Sequence, residues 1–165
     1  MAERREGRII ALLLFLTVTF LVGYVGSLAS QRGLSFWYVT LNKPSWNPPP
    51  WVFAPVWTVL YLMMGVAAWR VWAVPAGEVP SGRRSAALAL YGAQLILNGL
   101  WSWLFFGFQR IDLALYEIGV LLLAIIATAI LFGRVQRSAG LLFIPYIAWV
   151  TFATVLNFTL HRMNP

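Results

Sequence analysis

Five long apolar runs dominate this chain and leave little sequence between them. They are Ile9–Ala29, Trp51–Val74, Ser85–Phe108, Leu113–Phe132 and Ala139–Leu160. A helix needs about 20 mostly apolar residues to cross the hydrocarbon core of a bilayer. Three of the runs are uncharged; the second holds only Arg70 and the fourth only Glu117. Backbone polar groups in lipid must pair within the protein, so helices or closed barrels are the only spanning solutions. Barrel strands would alternate over segments of about 10 residues, and these runs are continuous. The sequence therefore predicts an all-α integral membrane protein, a bundle of five transmembrane helices forming a single domain over residues 1–165. Composition agrees: 10% of residues are charged, against about 25% in soluble domains.

The runs also predict the connections. Gln31–Pro50 reads as a long loop rich in Pro and Trp, and Pro75–Arg84 as a polar Gly/Pro loop. Gln109–Asp112 and Gly133–Ser138 are short, which makes the third, fourth and fifth helices antiparallel neighbours. The first run has a rival reading, because "RREGR" before an apolar stretch ending "SLAS" has the layout of a signal peptide with Ser27 and Ala29 at the cleavage site. That stretch exceeds the roughly 7–15 apolar residues of such a peptide.

Lys and Arg near helix ends set orientation. Arg4, Arg5, Arg8, Arg70, Arg83, Arg84, Arg134 and Arg137 fall on one side, and Arg32, Lys43, Arg110 and Arg162 on the other. The bias predicts the N-terminus inside, in an expected bacterial membrane, inner or outer. The net charge of +7 is scattered between apolar runs and forms no stripe, which argues for headgroup contact and against nucleic acid.

Polar and aromatic residues within the runs are the informative minority. Asn98, Trp101, Phe105 and Phe108 recur at helical spacing, as do Tyr146, Trp149, Ala153, Leu156 and Leu160, with Asn157 beside them. Trp57, Tyr61 and Met64 share a face of the second helix. Converging stripes of this kind would enclose an apolar cavity with a few hydrogen-bonding groups, the usual form of a small-molecule site. The alternative is plain helix packing, with Asn98 and Asn157 as interhelical glue. Ala153, small among large neighbours, leaves room for a close helix or for a guest. Trp37, Tyr38, Trp69 and Trp72 fit an interfacial aromatic belt.

The stretch "LNKPSWNPPPWVFAPVWTVLY", Leu41–Tyr61, holds three tryptophans and five prolines. Pro48–Pro50 cannot continue an upstream helix, and Pro55 is tolerated only in a first turn. The second helix should thus begin near Trp51, behind a stiff loop that is either a lid or a headgroup anchor. Ser85, Ala89 and Ala93 form a small-residue ridge, suited to a dimer face or to packing within the chain. Glu117 reads as a snorkelling side chain, a partner of Arg110 or the lining of a polar entrance.

Conventional chemistry is missing. There is no cysteine, His161 is the only histidine, and no nucleophile elbow, phosphate loop, zinc-protease motif or metal-ligand cluster occurs. No obligatory cofactor is implied. Indole, however, stacks on flat π-systems and can give an electron to a photoexcited one.

The residues at Trp37–Tyr38, Leu41–Tyr61, "LNGLWSWLFFG" at Leu97–Gly107 and "PYIAWVTFATVLN" at Pro145–Asn157 make the chain resemble the TspO/MBR family. Its members are tryptophan-rich sensory proteins related to the mitochondrial translocator protein, the peripheral benzodiazepine receptor. The resemblance spans nearly the whole chain. It implies a five-helix bundle, usually a homodimer, that binds porphyrins such as protoporphyrin IX and haem, cholesterol-like sterols and benzodiazepine-type drugs. It places the pocket beneath the loop joining helices one and two. Carried over by motif, the ligand-binding residues are Trp46, Trp51, Trp57, Tyr61, Asn98, Trp101, Trp149, Phe152, Ala153 and Leu156. Trp51 and Trp149 are then the candidates for photochemistry.

Three departures stand out. The tyrosine of the family's cholesterol motif is replaced by Phe158, before Arg162, although Leu34, Tyr38 and Lys43 satisfy the same weak pattern in a loop. Leu113 stands where animal relatives carry a tryptophan. No haem axial ligand is evident, so packing would have to hold any haem. The expected function is a membrane receptor or carrier for tetrapyrroles, acting in porphyrin transport or regulation. The alternatives are light-dependent porphyrin degradation and a structural dimeric partner.

Overall fold

A computed structural model describes residues 2–165. Six α-helices are formed: α1 Ala2–Arg32, α2 Phe53–Trp72, α3 Ser81–Ser102, α4 Ile111–Val135, α5 Arg137–Leu141 and α6 Ile144–Met163. No strand occurs among the described residues. Counting their terminal turns, five helical segments are long and apolar enough to cross a membrane, as the hydrophobic runs predict.

The boundaries correct the expectation at three places. The first helix does not stop at Ala29. It continues through α1 into a wide π-type turn over Gly33–Trp37 and a tight 3-10 turn over Tyr38–Thr40. Polar Gln31 and Ser35 gave this stretch the look of a loop, yet Gly33 and Tyr38 are buried in it. The true loop is therefore only Leu41–Pro49. The fifth run is two helices, because Pro145 sits in the first turn of α6 and cannot extend α5. The third helix ends in a second wide turn, Trp103–Gly107. That turn shifts the register, so Phe105 is buried while Phe108, predicted on the same stripe, is 64% exposed. The second helix starts as expected, with a tight turn at Pro50–Val52 and Pro55 in the first turn of α2.

Small residues draw the helices together away from the loop. A Cβ built on Gly65 would lie 2.8 Å from a methyl of Leu16, and one on Gly140 would lie 2.8 Å from Gly133 Cα. Ala67, Ala68, Ala87 and Ala139 are fully buried here, with Phe132 and Phe143 filling the space between them. Such close approach favours van der Waals packing, the main attraction between helices in lipid.

Tyr38 is not an interfacial ring. It is buried beside Phe105 and Phe106, and its hydroxyl donates to Asn47 Oδ1 at 2.6 Å. Glu117 does not pair with Arg110, whose guanidinium instead holds Asp112 at 2.9 and 2.6 Å. This ion pair raises the pKa of Arg110, first through the hydrogen bonds and then through charge. Glu117 does not snorkel either: it is buried, and neither carboxyl oxygen has a hydrogen-bond partner.

Candidate ligand cavity

At the loop end the packing changes from small residues to rings. Trp57 stacks on Tyr61 at 5.5 Å along α2, and its other flank meets the edge of Tyr146. Trp101, near the end of α3, stacks on Phe105 at 5.1 Å. Trp149 on α6 meets Phe53 edge-on and lies against Phe152. Large rings on three helices cannot interdigitate as closely as alanines, and they surround a cavity of about 480 Å³.

Two members of a buried hydrogen-bond chain, Tyr61 and Asn98, form its polar floor. The Tyr61 hydroxyl donates to Asn98 Oδ1 at 2.6 Å, and Asn98 Nδ2 donates to the Tyr146 hydroxyl at 2.8 Å. Tyr146 donates in turn to Gln94 Oε1 at 3.1 Å. One turn further along α3, Tyr91 bonds to Thr19 of α1. Tyr91, Gln94 and Asn98 thus form a polar stripe aimed into the bundle. Each member has a partner, as buried polar groups require. The Trp101 indole N–H is likewise spent, on Asn157 Oδ1 at 3.1 Å, while Asn157 Nδ2 holds the Ile111 carbonyl. Asn157 is therefore interhelical glue, whereas Asn98 is both glue and cavity wall.

Of the ten predicted ligand residues, Trp57, Tyr61, Asn98, Trp101, Trp149 and Ala153 line this cavity. Phe152 and Leu156 do not. They line a smaller void of about 30 Å³ that shares Trp101, Trp149 and Ala153 with the first. Ala153 sits where the two meet, which is the room its size suggested. Trp46 caps Phe152 edge-on at 5.9 Å and lines neither void. Trp51 is 75% exposed and also lines neither.

Over most of its length this chain matches the sequence pattern of one known family, the TspO/MBR family, through residues 15–163. The chain belongs to the TspO/MBR family. It is 42% identical to the tryptophan-rich protein TspO of Chlorobaculum tepidum over 160 residues, 96% of this chain and 98% of the relative. It is 44% identical to the tryptophan-rich sensory protein of Cereibacter sphaeroides over 151 residues, 92% and 91% of the two chains. The human translocator protein is 39% identical over 128 residues, 78% and 75%. Membership in the TspO/MBR family, with five spans, supports a membrane receptor or sensory role.

The sequence reading missed one whole wall of this TspO/MBR cavity. Phe20, Gly23, Tyr24, Ser27, Ser30 and Gln31 of α1 all line it. Their spacing of three and four residues is helical, but glycine and serine on an apolar helix carry no signal that separates a cavity wall from plain packing. Ser27 and Ala29, which the rival signal-peptide reading would make a cleavage site, belong to the continuous α1.

Proposed function

We propose that this TspO/MBR protein is a membrane receptor or carrier that holds tetrapyrroles, such as protoporphyrin IX or haem, and similar flat hydrophobic molecules. The aromatic cavity carries the reading. The indole and phenol faces of Trp57, Tyr61, Trp101 and Trp149 surround it, and a flat π-system gains from stacking on such faces. Among the described residues, the wall offers no Met, His or Cys to an iron and no Lys or Arg to carboxylate side chains. Haem would accordingly be held by packing, with its carboxylates directed out of the cavity. Sterol-like and benzodiazepine-type ligands fit the same apolar body.

The assembly we propose is a homodimer. Ser85, Ala89 and Ala93 are exposed on α3, which leaves the ridge open to a second copy. The N-terminus would lie on the inside of a bacterial membrane, a reading that the arginine bias supports.

The test is tryptophan fluorescence titrated with protoporphyrin IX in the dark, then after illumination. Saturable quenching that weakens by about tenfold or more in Trp149→Ala supports the site, since losing one stacking partner costs about 0.5–1.5 kcal/mol beyond its buried area. Linear, unsaturable quenching would mean partitioning and would remove the reading. Three indoles in the wall favour a second reading, light-driven porphyrin breakdown. A product that forms only under light, and only with those indoles intact, would support it.

A further inference from the structure

The cavity is open on one side, and that side is not the roof. Its exposed lining residues are Phe20, Tyr24 and Gln31 on α1 and Pro50, Ala54 and Thr58 at the start of α2. Every lining residue from α3, α4 and α6 is buried or half-buried. The opening is therefore a slot in the α1–α2 seam. Lower down the same seam is shut. The Trp69 indole donates to the Arg8 carbonyl at 2.9 Å, and Gly65 admits Leu16. A Cβ on Gly23 would run into the Tyr61 ring. Past Gly23 the two helices border the cavity instead of each other.

The roof is fastened. Tyr38 holds Asn47, and Lys43 donates to the Leu41 carbonyl at 2.8 Å. Asn42 N–H donates to Asn164 Oδ1 at 2.9 Å while Asn164 Nδ2 donates to the Asn42 carbonyl at 3.0 Å, which ties the loop to the end of α6. Rings close the remainder, Trp46 on Phe152 and Phe53 on Trp149. The slot, in contrast, lies at lipid depth. Thr58 is eight residues into the Pro50–Trp72 span, about 12 Å from its end at 1.5 Å per residue, inside a hydrocarbon core about 30 Å thick.

We infer that the cavity is loaded sideways from the bilayer, through the slot between α1 and α2, by amphiphiles already dissolved in lipid. The slot itself is amphipathic. Phe20 and Tyr24 border its deep part, while Ser27, Ser30 and Gln31 border the part nearest the headgroups. The hydroxyls of Ser27 and Ser30 donate to carbonyls one turn back and keep their oxygens as acceptors. A ligand then travels with its polar end at these residues and its apolar body past Tyr24 and Thr58. This rests on the reading of the cavity as a ligand site.

The chain has no native cysteine, so engineered pairs can be bridged cleanly. One variant carries Ser27→Cys with Thr58→Cys across the slot, and another Asn42→Cys with Asn164→Cys across the roof. Each is reconstituted in phosphatidylcholine vesicles and bridged with a short, reductively cleavable bis-maleimide. Association and dissociation of protoporphyrin IX are followed by stopped-flow tryptophan quenching. Bridging the slot is expected to slow association and dissociation alike by about tenfold or more, relative to the same cysteine pair left unbridged. Reduction restores the rates, and bridging the roof changes neither. An unbridged Ala54→Trp plug at the slot should slow both rates in the same sense, which covers a failure of the first pair to fold. Slowing by the roof bridge alone would overturn the inference in favour of loading from water. Unchanged rates with the slot bridged or plugged would overturn it too. Absence of saturable quenching in the unmodified protein would instead remove the ligand-site reading, and this inference with it.

Discussion

Where α4 turns into α5, Gly140 sits against Gly133 backbone to backbone, and the surrounding alanines are fully buried. Where α2 begins, Trp57, Trp101 and Trp149 stand around a cavity of about 480 Å³. Both regions belong to one apolar bundle. Burying apolar surface gives helices already in lipid little reason to associate, so stability must come from close contact and hydrogen bonds. The first region takes it from small residues. The second forgoes part of it, keeps a void, and compensates with the Tyr61–Asn98–Tyr146–Gln94 chain. On the proposed function, the half that keeps a void is the one that takes the ligand.

The largest effect is expected where packing is tightest. Gly140→Val would push a side chain into the Ala129 carbonyl at 2.7 Å and into the Gly133 backbone. Neither is a flexible side chain that can move aside, so a loss of about 3 kcal/mol or more is expected, at the upper end of overpacking costs. Thermal unfolding in detergent measures it. A melting temperature unchanged from the parent would show the glycine contact to be slack.

Next comes the polar floor. Asn98→Ala strands the Tyr61 hydroxyl and leaves Gln94 as the one partner of the Tyr146 hydroxyl, at about 1–3 kcal/mol. The same melting assay should show it, together with weaker ligand binding. A stable variant with full affinity would mean that the chain contributes nothing to the void's shape.

Glu117 works in the other direction. Its carboxyl is buried without a partner, so Glu117→Leu should raise stability by about 1 kcal/mol, as removal of an unpaired buried polar group does. A lower melting temperature would reveal that the carboxyl has a partner after all. The smallest effect belongs to Trp51→Ala. An exposed ring outside both voids should change stability by no more than about 0.5 kcal/mol and leave porphyrin affinity unaltered. A large loss of affinity would place the site in the loop and not in the cavity.

The spans were legible because lipid demands long uncharged runs and this chain supplies them without interruption. The inward stripes of α2, α3 and α6 were legible from spacing alone, down to Ala153 as the point of free space. Other features depended on tertiary context. Tyr38 looks like an interfacial ring until the wide turn at Gly33–Trp37 carries it inward beside Phe105. Phe108 leaves its stripe because a second wide turn breaks the 3.6-residue period. The α1 wall escaped notice because serine and glycine on an apolar helix read equally as packing. Glu117 was misplaced because a charge near a helix end is ordinarily drawn to the surface, and here α4 turns it into the bundle.

The central claim is that the void itself, not the aromatic loop, holds the ligand. Filling it is the most direct measurement. Ala153→Trp puts an indole at the junction of both cavities. Protoporphyrin IX affinity is then measured in the dark, after circular dichroism and size-exclusion chromatography show the fold intact. The account predicts that saturable binding is lost while the helical content remains. Undiminished affinity in a folded Ala153→Trp protein would contradict it.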